Sequence, residues 1–215
     1  MTTPFEILKK HSFPLPKSII QVGASGGQEL EQFIEAGIED ALLIEPLEFP
    51  FSVLKERVAN LPNYFPFQAL AGSSNGALQD FFVASNGGMS SSILKPKDHI
   101  RIYPEITFNE KLSITSFRLD SIVNHLFSQN LIRTQNSEMI YLDVQGAELM
   151  VLKGAGELLE NAKYIWTEVS SGLCYEGAVS YIEIIQFMSL YNFQLAHLEL
   201  FQSLGFGDAL FVKLS

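Results

Sequence analysis

IIQVGASGGQELEQFIEAGIEDALLIEP, residues 19–46, is the stretch that decides the fold. Its apolar start at residues 19–22 predicts a buried strand, and the glycine-rich turn after it leads into helical spacing over residues 28–36. A second apolar run, residues 41–44, ends at Glu45. The stretch therefore predicts a strand, a turn, a helix and a second strand with a carboxylate at its tip, which is the repeating unit of an α/β fold.

The turn has the layout of a nucleoside-binding loop, because glycines let the backbone turn sharply and let a ligand approach the main chain. Its candidate binding residues are Gly23, Ala24, Ser25 and Gly26. Glu45 lies about 20 residues beyond the turn, where a carboxylate can accept hydrogen bonds from both ribose hydroxyls of an adenosine. An ordinary tight turn between a strand and a helix would use the same glycines, so the turn alone leaves both interpretations open.

Ser25 bears on the choice of cofactor. The dinucleotide-binding fingerprint requires a second glycine at this position, because a pyrophosphate must come very close to the backbone there. S-adenosylmethionine has no phosphate, and its methionine end needs only room and a few polar contacts. The sequence therefore favours S-adenosylmethionine over NAD.

Composition limits the class of protein. The chain has 215 residues, 47% of them hydrophobic and 18% charged, which is typical of one globular domain with a substantial core. Its formal net charge of −10 would repel a nucleic-acid backbone or an anionic membrane surface, so we expect no nucleic-acid partner. Nothing in the sequence favours one oligomeric state over another.

Cysteine usage and hydropathy indicate the compartment. Cys174 is the only cysteine, which excludes an internal disulfide and a multi-cysteine zinc site and fits a reducing environment. No apolar run reaches the roughly 18 residues of a membrane span, and residues 1–20 offer no apolar segment for export. We therefore expect a cytoplasmic protein without a membrane span.

The remaining elements follow from periodicity and turn signals. Residues 1–18 contain three prolines and are interpreted as a lead-in that covers an edge after one short helical turn, without a function, and residues 19–215 as the single domain. Strands are predicted at residues 65–70, 77–84, 111–119, 139–142 and 164–169, and helices at residues 49–60, from 120, from about 148 to 160, and 181–191. The connection between the last two extended segments, residues 193–200 and 209–214, is too short for a crossover helix, so these segments should pair antiparallel.

Several polar residues follow predicted strands, at the side of the sheet where such folds bind ligands. Ala71 and Gly72 open a small exit turn, which a plain loop would also explain, and Asp120 is predicted to cap the helix that begins there. Asp143 and Glu168 stand at the tips of two apolar strands, where an active site would lie, although capping of the following helices is their alternative role.

The segment 85–101 has no hydrophobic period, which is typical of a lid or binding loop. It contains His99, for which solvation or capping is the simpler interpretation. Its serines, Ser90, Ser91 and Ser92, could donate hydrogen bonds to a ligand or cap a turn.

Several motifs together resemble the FkbM-type methyltransferases, from about residue 19 to the carboxyl end. They are VGASGG, IEPLEFPFSVLKERV, AGSSNG, SSSILKP with His99, RLDSIV, YLDVQGAELMVLKGAGELL and WTEVS. The resemblance implies a class I S-adenosylmethionine-binding fold, with a mostly parallel seven-stranded sheet, an antiparallel strand near its end and helices on both faces. It also implies O-methylation of a hydroxyl on a sugar, a glycan or a secondary metabolite.

Carried over by position, the resemblance assigns the cofactor's methionine end to Gly23, Ala24, Ser25 and Gly26. It assigns the ribose to Glu45 and the adenine border to Ala71 and Gly72. The chain departs from the family at Gln21, where an acidic residue is common two positions before the first glycine. Without a carboxylate at this position, the binding of the cofactor's amino group is in question.

Methyl transfer to a hydroxyl requires a base, because an alkyl hydroxyl is a poor nucleophile and its proton must leave during attack. Asp143 is the first candidate, followed by Glu168 and His99. A divalent metal that lowers the hydroxyl's pKa is the other route; Asp143 and Glu168 could supply two oxygen ligands, but the sequence offers no convincing third.

Two rival functions share the opening unit. An NAD-dependent sugar reductase or epimerase would bind its cofactor there, but no tyrosine is followed four residues later by lysine, as the short-chain enzymes of that type require. A binding protein that keeps the fold and has lost turnover is the second rival, and Gln21 is its only support.

Overall fold

The computed structural model of the chain describes residues 2–171, 174–201 and 205–214. Ten strands and eight helices are assigned in these ranges. The strands are β1 Ser18–Val22, β2 Asp40–Glu45, β3 Tyr64–Gln68, β4 Leu70–Gly72, β5 Ala77–Val83, β6 Glu110–Arg118, β7 Met139–Leu142, β8 Tyr164–Ser170, β9 Phe193–Phe201 and β10 Phe206–Lys213. The helices are α1 Pro4–Lys10, α2 Leu30–Ala36, α3 Glu48–Arg57, α4 His99–Ile102, α5 Leu119–Ser128, α6 Glu148–Ala155, α7 Leu158–Asn161 and α8 Tyr181–Ser189.

Seven strands form the main sheet in the order β3-β2-β1-β7-β8-β10-β9. The first five run parallel, and β10 runs antiparallel to both β8 and β9. This topology confirms the predicted α/β class, with a mostly parallel sheet and an antiparallel hairpin at its end. The middle of the hairpin's connection, residues 202–204, lies outside the described residues.

Helices cover both faces of the sheet, as expected, and the central strands are accordingly apolar on both sides. Ile20 and Ile140 belong to the core under α5, α6 and α8. Leu43 and Tyr141 belong to the opposite core, under α1, α2 and α3. Side chains alternate along a strand, so the residue two positions after Tyr141, at the tip of β7, points to the same face as Tyr141. That is the face covered by α2.

The lead-in forms a helix that belongs to the core. Thr3 and Glu6 make a capping box at the start of α1, and Pro4 occupies its first turn, where the missing N–H costs nothing. Phe5 packs edge-on against Phe33 of α2, with ring centroids 5.9 Å apart. The segment therefore packs on a face of the sheet, where cover of an edge was expected.

Sequence patterns misjudged three element boundaries. The strand predicted at residues 65–70 is two strands, because the chain leaves the main sheet after Gln68 and β4 joins β5 and β6 in a separate sheet of order β4-β6-β5. The helix predicted to run to residue 160 breaks at Gly156, whose φ of 50° lies outside the helical region. The helical spacing over residues 28–36 becomes α2 only from Leu30, after a turn.

Asp120 was wrongly predicted as a helix cap. The cap position of α5 is occupied by Arg118, without a side-chain hydrogen bond, so Asp120 lies inside the first turn. Its carboxylate instead pairs with the Arg118 guanidinium. The charge thus stabilises a turn that the sequence pattern placed one residue too late.

Along the described parts of the chain, no helix is long and apolar enough to cross a membrane.

The two sheets are held together at a glycine contact. A Cβ atom on Gly154 in α6 would lie 2.0 Å from the backbone oxygen of Gly72 in β4, and 3.4 Å from Cα of Arg118 in β6. These neighbours are backbone atoms and cannot rotate away. Glycine at this position of the segment VLKGA therefore allows α6 to pack closely on the small sheet, which is the three-stranded sheet β4-β6-β5.

We predict that Gly154→Ala destabilises the protein. Alanine in a helix gains about 1 kcal/mol over glycine, but overpacking costs about 1–3 kcal/mol and more for a contact this close to backbone, so the net loss should be at least about 2 kcal/mol. Urea unfolding measures it. Lys153→Ala, on the exposed side of the same helix, is the control and should change the free energy of unfolding by less than about 0.5 kcal/mol; equal effects would contradict the packing role.

Candidate functional site

The site begins where the strand order reverses, between β1 and β7, which is where open α/β sheets bind their ligands. The backbone N–H of Asp143 donates to the oxygen of Val22 over 3.0 Å, so the two strand tips stay paired beyond the last ladder positions. Gly23 has φ of 82°, and a Cβ there would lie 1.8 Å from the backbone oxygen of Asp143. No other residue type fits, and the first glycine of the turn is thereby explained.

Glu45 fixes the conformation of the turn. Its Oε2 accepts a hydrogen bond from the N–H of Ser25 over 2.9 Å, and its Oε1 accepts one from the N–H of Leu47 over 2.9 Å. Ser25 has φ of 44°, a left-handed conformation that this bond helps to hold. Burial raises the pKa of Glu45 to about 7, although both backbone hydrogen bonds lower it. Each carboxylate oxygen keeps a second lone pair for a ligand.

The first cavity, of about 180 Å³, opens beside this turn. Of the predicted cofactor-binding residues, Gly23, Ser25, Glu45 and Ala71 line it, as do Asp143 and Ser91. The other three predicted cofactor-binding residues lie outside its walls. Ala24 is fully buried, Gly26 packs against Val53, and Gly72 faces α6 through the contact described above.

The segment predicted as a lid covers the first cavity. Gly88, Met89, Ser91 and Ile93 line it from this segment, and Phe81 lines it from the small sheet. The segment is tied down, because Ser92 donates its hydroxyl to the backbone oxygen of Gln145 over 2.9 Å. The hydroxyl of Ser91 in turn accepts a hydrogen bond from the N–H of Ala84. These two serines thus make contacts inside the protein, and Ser91 also reaches the cavity.

Gln145 links the two carboxylates predicted at the strand tips. Its Nε2 donates to Oδ1 of Asp143 over 2.7 Å and to Oε2 of Glu168 over 3.0 Å. Its Oε1 accepts from the hydroxyl of Tyr175 over 3.2 Å, and this hydroxyl also lies 2.8 Å from the backbone oxygen of Ser90. With φ of 56°, Gln145 has a strained backbone at a turn, as residues in active sites often do. The amide holds both acids in one arrangement.

The pKa values of the two strand-tip acids are raised. Burial raises the pKa of Asp143, against the hydrogen bond from Gln145. Burial, and then the nearby charges of Asp143 and Glu148, raises the pKa of Glu168 well above its usual range. A carboxylate with a raised pKa is a stronger base, so this environment suits proton transfer.

Glu148 accounts for the end of the motif DVQGAE. Its Oε1 accepts from the N–H of Val144 over 3.1 Å and from the N–H of Gly146 over 3.0 Å. It is buried, and burial raises its pKa to about 7 despite these bonds. The side chain shapes the turn that carries Gln145. It lines neither the first cavity nor a second cavity, which is described below.

His99 lies away from both strand-tip acids. It starts the short helix α4 and is buried among the rings of Tyr103, Phe108 and Tyr175, whose centroids lie 5.1–5.5 Å from its own. Burial lowers its pKa, and its Nδ1 has no hydrogen-bond partner. The geometry places it behind Tyr175, and it lines neither the first cavity nor the second one described next.

A second cavity, also of about 180 Å³, lies between the amino-terminal segment, α2 and the tips of β7, β8 and β10. It shares Glu29 and Asp143 with the first cavity. Glu168 and Asp208, paired in register on neighbouring strands, belong to its wall. The strand tips thus carry a row of carboxylates that spans both cavities.

Gln21 is buried below this row, and its Nε2 donates to Oε2 of Glu29 over 2.8 Å. Burial raises the pKa of Glu29, although this hydrogen bond lowers it. The glycine motif lacks a carboxylate at position 21, but Glu29 supplies one at the start of α2. Its Oε2 lies 2.8 Å from Nε2 of Gln21.

Within the described ranges, no group of three or more His, Cys, Asp or Glu side chains is arranged to hold a metal ion. The metal route considered from the sequence had two oxygen ligands, Asp143 and Glu168, and among the described residues they are not part of such a group. Cys174 is buried.

Sequence analysis missed Gln145, Tyr175, Glu29 and Asp208. The signal for Gln145 in the sequence was its position between a strand-tip acid and Gly146. A polar residue in such a glycine turn, here in a left-handed conformation, is a candidate to bind a ligand or hold the acid in place. Tyr175 and Asp208 come from distant segments, so only the fold brings them to the site.

One curated protein, the 2-O-methyltransferase NoeI of Sinorhizobium fredii, is 27% identical over 166 residues. The alignment covers 74% of this chain and 65% of the relative, slightly less than two thirds of that protein's length.

Solved structures show the same fold. Fibrillarin of Aeropyrum pernix, in complex with natively bound S-adenosyl-L-methionine, has a TM-score of 0.51 at 11% identity and covers 93% of this chain and 69% of its own. A SAM-dependent methyltransferase from Aquifex aeolicus has a TM-score of 0.50 at 12% identity, covering 98% of this chain and 90% of its own. At these identities the likeness concerns the fold alone.

The family profile described as the methyltransferase FkbM domain matches residues 21–195. The matched range contains the glycine turn and the strand-tip acids Glu45, Asp143 and Glu168. The chain belongs to the FkbM family of methyltransferases, whose cofactor is S-adenosylmethionine.

Proposed function

We propose that this protein transfers a methyl group from S-adenosylmethionine to a hydroxyl oxygen of a sugar, a glycan or a secondary metabolite. The observation that carries the proposal is the position of Asp143, a half-buried carboxylate on the wall between two cavities. A base at such a junction can reach a hydroxyl in one cavity while the methyl donor lies in the other. The FkbM membership and the likeness to a 2-O-methyltransferase support the reaction type.

The residues of the first cavity fit the cofactor. Glu45 offers two carboxylate lone pairs to the ribose hydroxyls, and Ala71 offers a small apolar border for the adenine. Gly23 and Ser25 line the cavity where the methionine end would lie. When bound, the cofactor supplies a methyl group on a positively charged sulfur. The acidic wall formed by Glu29 and Asp143 favours that positive charge.

Asp143 would accept the proton of the attacking hydroxyl. Gln145 keeps its carboxylate oriented and ties it to Glu168. The lid residues and the rings over the second cavity keep water away, which an in-line displacement needs. His99 is not given a direct role, because it reaches the acids only through Tyr175 and Gln145.

The rival interpretation as a binding protein without turnover rested on Gln21. Its amide is hydrogen-bonded to Glu29, so an acid still faces the region where the cofactor's amino group belongs. This arrangement supports a working site over a degenerate one.

The direct test is methyl transfer itself. The purified chain is incubated with S-adenosylmethionine labelled in the methyl group and with neutral sugars, amino sugars, uronic acids, oligosaccharides and hydroxylated phenols. We expect label in an alkali-stable ether on one acceptor class, identified by mass spectrometry, with stoichiometric release of S-adenosylhomocysteine. Cofactor binding without transfer to any hydroxyl would favour the binding-protein alternative.

Glu45→Gln should weaken S-adenosylhomocysteine binding, because a neutral amide accepts only one of the two charged hydrogen bonds. Such bonds are worth about 1.5–3 kcal/mol, so the dissociation constant should rise roughly 10- to 100-fold in calorimetry. Glu48→Gln, an exposed carboxylate at the start of α3, is the matched control and should leave affinity unchanged. Equal affinities for both variants would remove Glu45 from the site.

The affinity for S-adenosylhomocysteine should rise between pH 6 and pH 8. Glu45 has a pKa raised to about 7 in the free protein, and only its ionised form accepts from both hydroxyls. Binding therefore lowers this pKa and releases protons near neutrality, so affinity increases as pH passes through 7 and then levels off. Calorimetry in two buffers of different ionisation enthalpy counts the protons. The Glu45→Gln variant should show a flatter profile, and an affinity that falls with pH would contradict the assignment.

Asp143→Asn should reduce turnover about 10²–10⁴-fold while cofactor affinity stays within about threefold, because the amide keeps the shape and loses the base. The assay is single-turnover methyl transfer, with S-adenosylhomocysteine calorimetry alongside. Asp98→Asn, at the start of α4 and outside both cavities, is the control. If affinity and turnover fall together, or neither falls, Asp143 is not the base.

A further inference from the structure

We propose that the second cavity is the acceptor site and that it takes a hydroxylated ring that is neutral or carries a protonated amine, and rejects rings that carry a carboxylate or phosphate. This inference rests on the proposed methyl transfer and adds the charge class of the acceptor. Part of the cavity wall, formed by Phe201, Phe206 and Asp208, lies beyond the residues that the family profile matches.

Aromatic rings form the apolar part of the cavity. Tyr141 and Trp166 lie side by side on β7 and β8, with ring centroids 6.3 Å apart. Phe201 and Phe206 meet edge to face across the terminal hairpin, with centroids 5.8 Å apart. Flat aromatic faces of this kind suit the C–H face of a saturated ring, while the ring's hydroxyls point to the polar wall.

Carboxylates dominate the polar wall of the cavity, beside residues with donor groups, namely Thr2, Thr3, Gln32, Tyr141 and Trp166. Four carboxylates line it, from Glu29, Asp143, Glu168 and Asp208, and no Lys or Arg of the described residues does. The carboxylate of Asp208 forms no hydrogen bond or ion pair with a described residue. These carboxylates favour a ligand that brings donors, as hydroxyl and ammonium groups do and carboxylate and phosphate groups do not.

Two amide oxygens near the cavity also have no partner. Oε1 of Gln32, whose side chain lines the cavity from α2, is buried without a hydrogen bond. Gln21 is 1% exposed, and its Oε1 is likewise unpartnered, while its Nε2 is bonded to Glu29 on the cavity wall. Buried acceptors are rarely left unsatisfied in a folded protein. Of the two residues, Gln32 belongs to the cavity wall, and its unpartnered oxygen favours a donor-bearing ligand.

The charge of the wall gives the selectivity. Burial raises the pKa of Asp208 to about 7, and the neighbouring charges of Asp143 and Glu199 raise it further. A protonated amine relieves this repulsion, and a neutral hydroxyl donor leaves it unchanged. An anionic substituent adds another like charge at close range in a partly desolvated site, where such contacts are strongly unfavourable.

Trp166 provides the measurement, because it is the only tryptophan of the chain and lies in this cavity. Its fluorescence is titrated in protein saturated with S-adenosylhomocysteine, using D-glucose and D-galactose, D-glucosamine and D-galactosamine, and D-glucuronate and D-galacturonate. We expect saturable changes with the neutral or amine-bearing sugars and dissociation constants at least about tenfold weaker for the uronates.

A gain of function makes the test sharper. Asp208→Lys replaces the unpartnered carboxylate by a cation, so this variant should gain uronate binding and lose its preference for the hexosamines. Glu199→Lys is the matched control, because Glu199 lies opposite Asp208 in register on β9 and does not line the cavity. It makes the same change of charge one strand away and should keep the original ranking.

The inference would be overturned if the uronates bound as tightly as the other sugars, if no sugar of the three classes changed the fluorescence, or if both lysine variants behaved alike. Failure of this inference is distinct from failure of the proposed function. Calorimetry on the same sample shows whether S-adenosylhomocysteine binds at all, and a loss of that binding would count against the methyl-transfer proposal instead.

Discussion

The close approach of two strand tips governs the arrangement of this protein. Gly23 and Asp143 meet where the strand order reverses, with no space for a side chain on the glycine. That contact sets the distance between the glycine turn and the strand-tip acid, and Glu45 then locks the turn from the other side through the N–H of Ser25. Both cavities open from this point, and Asp143 is on the wall of each.

The lid segment and the acids form one connected unit. Ser92 holds the backbone of Gln145, Tyr175 holds its side-chain amide, and that amide holds Asp143 and Glu168. The lid segment is thus connected to Asp143 and Glu168 through Gln145.

Local sequence patterns predicted the main sheet well, because a parallel sheet covered on both faces needs apolar strands, and these are easy to recognise. They also placed Glu45, Asp143 and Glu168 at strand tips. They could not predict that the strand after Tyr64 divides between two sheets, since both halves have the same composition. The second cavity could not be predicted from the sequence either. Glu29, Trp166 and Asp208 are far apart along the chain, and only the antiparallel hairpin and α2 bring them to one site. The cap assigned to Asp120 failed because the neighbouring Arg118 takes its carboxylate.

The central claim is that the first cavity holds a sulfur nucleoside for methyl transfer. The most direct measurement is isothermal titration of the purified protein with S-adenosylmethionine, S-adenosylhomocysteine and NAD in parallel. The account predicts that both sulfur nucleosides bind, with one site per chain, and that NAD does not, because Ser25 stands where a pyrophosphate would need glycine. Binding of NAD, or heat from none of the three ligands, would contradict it.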